Sequence, residues 1–93
     1  MEEMVPAEFQ LSQNYPNPFK KRTTIKYCIP NKARIMVEVF DANRNNVKTI
    51  VKDIKEAGTY NVEFDAAGLP DAVYYYRIRT GNFNETKKMV LMK

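Results

Sequence analysis

At 93 residues the chain has room for one domain and one core, and its 44% hydrophobic content can fill that core. It carries no His, no Trp and a single Cys, which excludes His-based acid–base or metal chemistry, an intrachain disulfide, a Cys-ligated zinc site and an antibody-type Cys-Trp-Cys core. The formal charge of +4 falls in separate clusters (Lys20-Lys21-Arg22, Arg77 with Arg79, Lys87-Lys88, Lys93) with acids between them, which suits an anionic surface and gives no nucleic-acid-binding stripe.

Residues 1–8 read as a linker or expression-derived start, with Met1-Glu2-Glu3-Met4 at its head, ahead of a domain over 9–93. No signal peptide is visible, and no apolar run approaches the ~20 residues of a membrane span. The first strand is expected over about 8–12. Asn14-Tyr15-Pro16-Asn17-Pro18-Phe19 then sets two prolines two apart. Each fixes its own φ, and each pushes the residue before it towards an extended conformation. Lacking N–H donors at Pro16 and Pro18, this segment cannot be a central strand. It is expected to cross one end of the fold as a stiff strap, with Tyr15 and Phe19 dropping into the core.

Period-2 alternation follows. In 22–29, Thr23, Ile25, Tyr27 and Ile29 share one face, and Cys28 falls on the polar one, where a partly covered, inert thiol is expected. In 34–40, Ile35, Val37 and Val39 alternate with Met36 and Glu38. Asp41, Asp65 and Asp71 are isolated loop-edge acids without calcium-loop spacing, so they read as turn formers. Residues 46–53 give an ambiguous signal, because Val47, Ile50 and Val51 suit a strand or a short helix. Gly58 is expected to hold φ > 0 in a hairpin before 59–65, where Tyr60, Val62 and Phe64 alternate with polar residues. Gly68 is expected to do the same in the next turn.

In 73–79, Tyr74 and Tyr76 point inward, and one hydroxyl is expected to bond back near Gly68 to Pro70, as in a tyrosine corner. Gly81-Asn82 breaks the chain before the last strand, 84–91. Lys87, Lys88, Met89, Val90, Leu91, Met92 and Lys93 form that strand and its tail. Its lysines discourage edge-to-edge aggregation, and an extended basic tail offers strand addition and charge pairing to a receptor. Seven short strands at this spacing, with no helix of ten residues, give an all-β fold: a seven-stranded antiparallel Ig-like β-sandwich. With no paired carboxylates and no phosphate loop, neither a cofactor nor an enzyme activity is expected.

The ordered set from Leu11-Ser12-Gln13-Asn14-Tyr15-Pro16-Asn17-Pro18-Phe19 onward resembles the C-terminal sorting domain of the type IX secretion system of Bacteroidetes and their relatives. The other carriers are Thr23-Thr24-Ile25-Lys26-Tyr27 with Ile29-Pro30, Ala57-Gly58-Thr59-Tyr60, Phe64-Asp65-Ala66-Ala67-Gly68-Leu69, Val73-Tyr74-Tyr75-Tyr76-Arg77-Ile78 and the Lys87-to-Leu91 tail. The resemblance implies a non-catalytic address. An upstream, covalently linked cargo passes through the periplasm and is recognised at an outer-membrane translocon. The domain is then typically removed by a sortase-like transpeptidase, and the cargo ends on the outer-membrane surface or outside the cell. Departures fall in loops: Lys20-Lys21-Arg22 follows the Pro-rich segment, Asn43-Arg44 replaces a usual Leu-Gly, and Ala72 replaces a usual Gly. The Asn residues around 43–46 are expected to supply any left-handed backbone there. Two other readings are an adhesive or carbohydrate-binding Ig-like module, with an aromatic platform at Tyr75 and Phe83, and the related Ig-like domain of flagellar hook-capping proteins. Against the latter, Lys93 reads as a true C-terminus.

Overall fold

The structure, a computed structural model, describes residues 7–81 and 83–93; Met1-Glu2-Glu3-Met4 and Asn82 lie outside them. Seven strands form: β1 (Gln10–Leu11), β2 (Arg22–Ile29), β3 (Ala33–Phe40), β4 (Asn46–Lys55), β5 (Gly58–Asp65), β6 (Ala72–Thr80) and β7 (Phe83–Leu91). They divide into a three-stranded sheet, β1-β2-β5, and a four-stranded sheet, β4-β3-β6-β7, with every pairing antiparallel. The all-β sandwich read from alternation is therefore what forms.

Both inner faces follow the period-2 pattern. Ile25, Tyr27 and Ile29 from the first sheet meet Ile35, Val37, Val39, Tyr76, Ile78, Met89 and Leu91 from the second, all buried. Phe19 and Phe64 touch edge-on, with ring centroids 6.3 Å apart, and close the core at the strap end. At the opposite end, Tyr27 and Tyr60 stack at 5.4 Å. Burial first, then the nearby charges of Tyr60 and Asp53, raises the Tyr27 pKa.

The ambiguous 46–53 stretch is a strand, and its irregular pattern has a physical cause. Register slips between Val37 and Glu38 and between Val39 and Phe40 leave Ile50 and Val47 as extra residues on β4. Each β-bulge resets the alternation, so apolar residues three apart can face the same core. In the antibody constant-type arrangement the fourth strand lies in the sheet of the first two; here β4 pairs with β3.

Three expectations need correcting. Tyr15 does not drop into the core: it is 80% exposed, while Asn14 is 2% exposed and Phe19 1%. The chain bends over Pro16–Pro18 and turns Asn14 inward and Tyr15 out, so the apolar character of a strap residue does not by itself assign its facing. Gly58 has φ of 154°, but it ends a crossing from one sheet to the other, since β4 and β5 lie in different sheets. The left-handed residue of the β3–β4 hairpin is Arg44, at φ 68°, and not an Asn.

That hairpin shows why Arg44 must turn left. The Arg44 N–H donates to the Asp41 carbonyl at 2.9 Å and the Asp41 N–H to the Asn45 carbonyl at 3.0 Å, closing a turn that needs a left-handed residue at its end. Asp41 Oδ1 accepts from the amides of Asn43 and Asn45, both at 2.9 Å. Those bonds, the Asn45 amide first, hold its carboxyl below the ordinary range. Cys28 is covered in its central strand, with Sγ 3.5 Å from Thr59 Oγ1, consistent with a quiet thiol.

Candidate functional site: the last strand and its strap

β7 pairs with β6 along its whole length, from Thr80↔Phe83 to Ala72↔Leu91. Its other edge would be open backbone, the usual hazard of an edge strand. The Pro-rich strap covers part of it. Strap residue Tyr15 exchanges backbone bonds with Thr24 of β2, at 3.0 and 2.9 Å. Four residues on, Phe19 bridges Leu91 in parallel sense, with its N–H donating to Val90 O and its carbonyl accepting from Met92 N, each at 2.9 Å. The strap therefore starts on one sheet and ends on the other.

Prolines have no N–H to enter a ladder, so neighbouring amide side chains supply the partners, one as acceptor and one as donor. Asn17 Oδ1 accepts from Val90 N at 2.9 Å, and Gln13 Nε2 donates to Lys88 O at 2.7 Å. Inside the strap, buried Asn14 Nδ2 donates to Thr23 Oγ1 at 2.9 Å and to Pro16 O at 3.1 Å. The Thr23 hydroxyl donates to the same Pro16 carbonyl at 2.8 Å. Pro16 O would otherwise be a partly buried acceptor at risk of desolvation.

Two tyrosines of β6 tie the ends of the fold together. Tyr76, fully buried, donates its hydroxyl to Ser12 O at 2.6 Å. Burial, opposed by a hydrogen bond to the Asn14 backbone and reinforced by the Glu85 charge, pushes its pKa up to about 12. Tyr74 donates to Pro70 O at 2.7 Å, four residues back, and burial raises its pKa too. The Gly68 loop, where Gly68 has φ of 88°, also receives Lys93: Nζ donates to Leu69 O at 2.7 Å and the backbone N–H to Asp71 Oδ2 at 3.2 Å.

The structure thus brings together Asn14, Asn17, Phe19, Tyr74, Tyr76, Gly68 and the 88–93 segment. It leaves Gly58 and Tyr60 apart, at the opposite end of β5, where the Tyr60 hydroxyl donates to Glu56 O at 2.7 Å. Within the tail, Met89 and Leu91 are core residues, while Lys88, Met92 and Lys93 face solvent. Lys87 lies on the other face of β7, half-buried, with Nζ 3.4 Å from Glu85. Strand addition along 88–92 meets an edge already occupied by the strap. Nor is there a Tyr75–Phe83 platform, because Phe83 stacks on Phe9 at 5.4 Å and Tyr75 faces out of β6 beside Lys88.

Sequence reasoning did not single out Ser12 and Gln13 as individual contacts. The signal was present for Gln13: an amide side chain beside Asn14 and two prolines is a donor placed where the backbone has none.

The family model of the secretion system C-terminal sorting domain matches residues 13–92, from the strap through β7. Comparison with curated proteins and with solved structures gives no match.

Proposed function

The chain belongs to the secretion system C-terminal sorting domain family, and from that premise we propose that it is read as a folded surface at an outer-membrane translocon. The domain is a sorting signal of the type IX secretion system, in a family without catalytic activity, and it directs export to the cell surface or the extracellular space. The finer steps rest on our reading: transit through the periplasm, recognition there in the folded state, and removal by a sortase-like transpeptidase from a covalently linked upstream cargo.

One observation carries the folded-state reading. The last strand is held between β6 and the strap, and its Met89 and Leu91 side chains lie in the core. The 87–93 segment therefore presents a fixed set of side chains, chiefly Lys88, Met92 and Lys93, and is not a loose peptide.

The test is a fusion of residues 9–93 to a reporter in a type IX-competent host. Export of the reporter is expected. Exchange of Lys88 and Lys93 to Ala is expected to reduce export while leaving the melting curve close to wild type. Retention of the wild-type fusion in the periplasm overturns the reading; full export of the double variant removes the tail lysines from recognition.

A further inference from the structure

A groove of about 630 Å³ opens beside β7, lined by Phe40, Arg44, Tyr75, Arg77, Thr86 and Lys88 among others. The register explains its make-up. Phe40, Tyr75 and Lys88 are direct cross-strand partners in one row over β3, β6 and β7, and Glu38, Arg77 and Thr86 form the next row. The left-handed turn at Arg44 ends the hairpin that walls one side.

No acidic side chain lines this groove. The nearest acids are already engaged. Glu38 Oε1 accepts from Arg77 at 3.1 Å and lies 3.6 Å from Arg79, and Asp41 is held by the amides of its own loop. Arg77 lies over the Phe40 ring at 4.8 Å, a cation–π contact, and its Nε has no partner. Arg44 and Lys88 form no ion pair among the described residues. The result is an aromatic floor ringed by Arg44, Arg77 and Lys88, with a fourth cation, Lys87, in the lining and paired to Glu85.

The neighbouring edge supplies a second feature. Outward backbone groups of β7 recur every second residue, and the strap takes those of Lys88, Val90 and Met92. The corresponding groups of Thr86 and Asn84 have no strap partner. We propose that this groove and edge together bind an acidic, extended segment of the secretion machinery. In that complex a carboxylate meets Arg44, Arg77 and Lys88, a neighbouring apolar side chain rests on Tyr75, and backbone pairs with Asn84 and Thr86. The proposal rests on the sorting reading and names the chemistry of the partner. A recessed aromatic floor between the cations suits a protruding chain better than a plane of lipid headgroups.

The probe is an acetylated, amidated pentapeptide with Asp and Glu flanking a central Phe, titrated into the isotope-labelled 93-residue chain and followed by NMR. Amide shifts are expected at Tyr75, Arg77, Thr86 and Lys88. Binding is expected to weaken about 10-fold with Arg44→Glu and Lys88→Glu combined, on the scale of two exposed charge contacts. Unchanged shifts in β2 and β5 show that the variant is folded, and the milder Arg44→Gln with Lys88→Gln is expected to fall between. Equal binding of the Asn/Gln version of the peptide overturns the proposal. So does the absence of shifts at these residues, or their movement by anionic phosphatidylglycerol vesicles instead of the peptide. Full export of an Arg44→Glu, Lys88→Glu fusion overturns the groove and leaves the sorting reading standing. Retention of the wild-type fusion sinks the sorting reading, and the peptide titration still decides the groove.

Discussion

Arg44 shows how one residue can hold a conformation that its side chain resists. A left-handed backbone costs a non-glycine residue about 1–2 kcal/mol. The turn keeps it because Asp41 organises three backbone amides around itself. Arg44→Gly is therefore expected to stabilise the fold by about 1 kcal/mol, raising the melting temperature by several degrees. A lower melting temperature in calorimetry would refute this. Tyr76 makes the opposite point about pH. Its folded pKa, about 12, lies above the ordinary tyrosine value. Neutral Tyr76 therefore contributes stability that is complete below about pH 10 and is lost as pH rises through about 12. The loss is about 3 kcal/mol over that window. Tyr76→Phe is expected to cost about 1 kcal/mol at neutral pH, since Ser12 O loses its donor, and to flatten the alkaline fall in stability. Urea melts at pH 8 and at pH 11.5 measure both effects.

Strands were the legible elements. Alternation located β2, β3, β5 and β6, because a sheet covered on one face writes its period directly into the side chains, and the turn signals between runs placed the other three. β4 was the hardest to read, since two bulges break that period. The strap was legible as a strap but not in its facing. Its prolines announced an irregular crossing, yet only the three-dimensional turn decides that Asn14 goes in and Tyr15 stays out. The candidate site was half legible. The tail and the Pro-rich segment both stood out, whereas their contact spans the whole chain and has no local signature. Asn14→Ala tests the strap as an element. It strips donors from Thr23 Oγ1 and Pro16 O, and the expected cost is about 2 kcal/mol. Loosening the strap also bares the β7 edge, so the variant is expected to self-associate on size-exclusion chromatography at high concentration. A monomeric variant with a wild-type melt would show that the strap does not guard that edge.

At the scale of the whole molecule, stability is limited by size. A domain this small holds about 5–10 kcal/mol in reserve, and Phe64→Ala is expected to cost about 3–5 kcal/mol. That one change should bring the domain close to unfolding at 37 °C, as circular dichroism would show. If the address is a folded surface, a reporter carrying Phe64→Ala should also fail to leave the periplasm; normal export of an unfolded variant would point to a linear signal. The strap has a further consequence, for the order in which the chain folds. Its bonds to β7 join residues 73 and 75 positions apart, so they can close only after nearly everything between them is in place. Val90 and Met92 amides should accordingly gain protection last in pulsed hydrogen exchange. Until that moment the nascent domain exposes a longer adhesive margin than the finished one, an interval in which a holding chaperone would find its best grip.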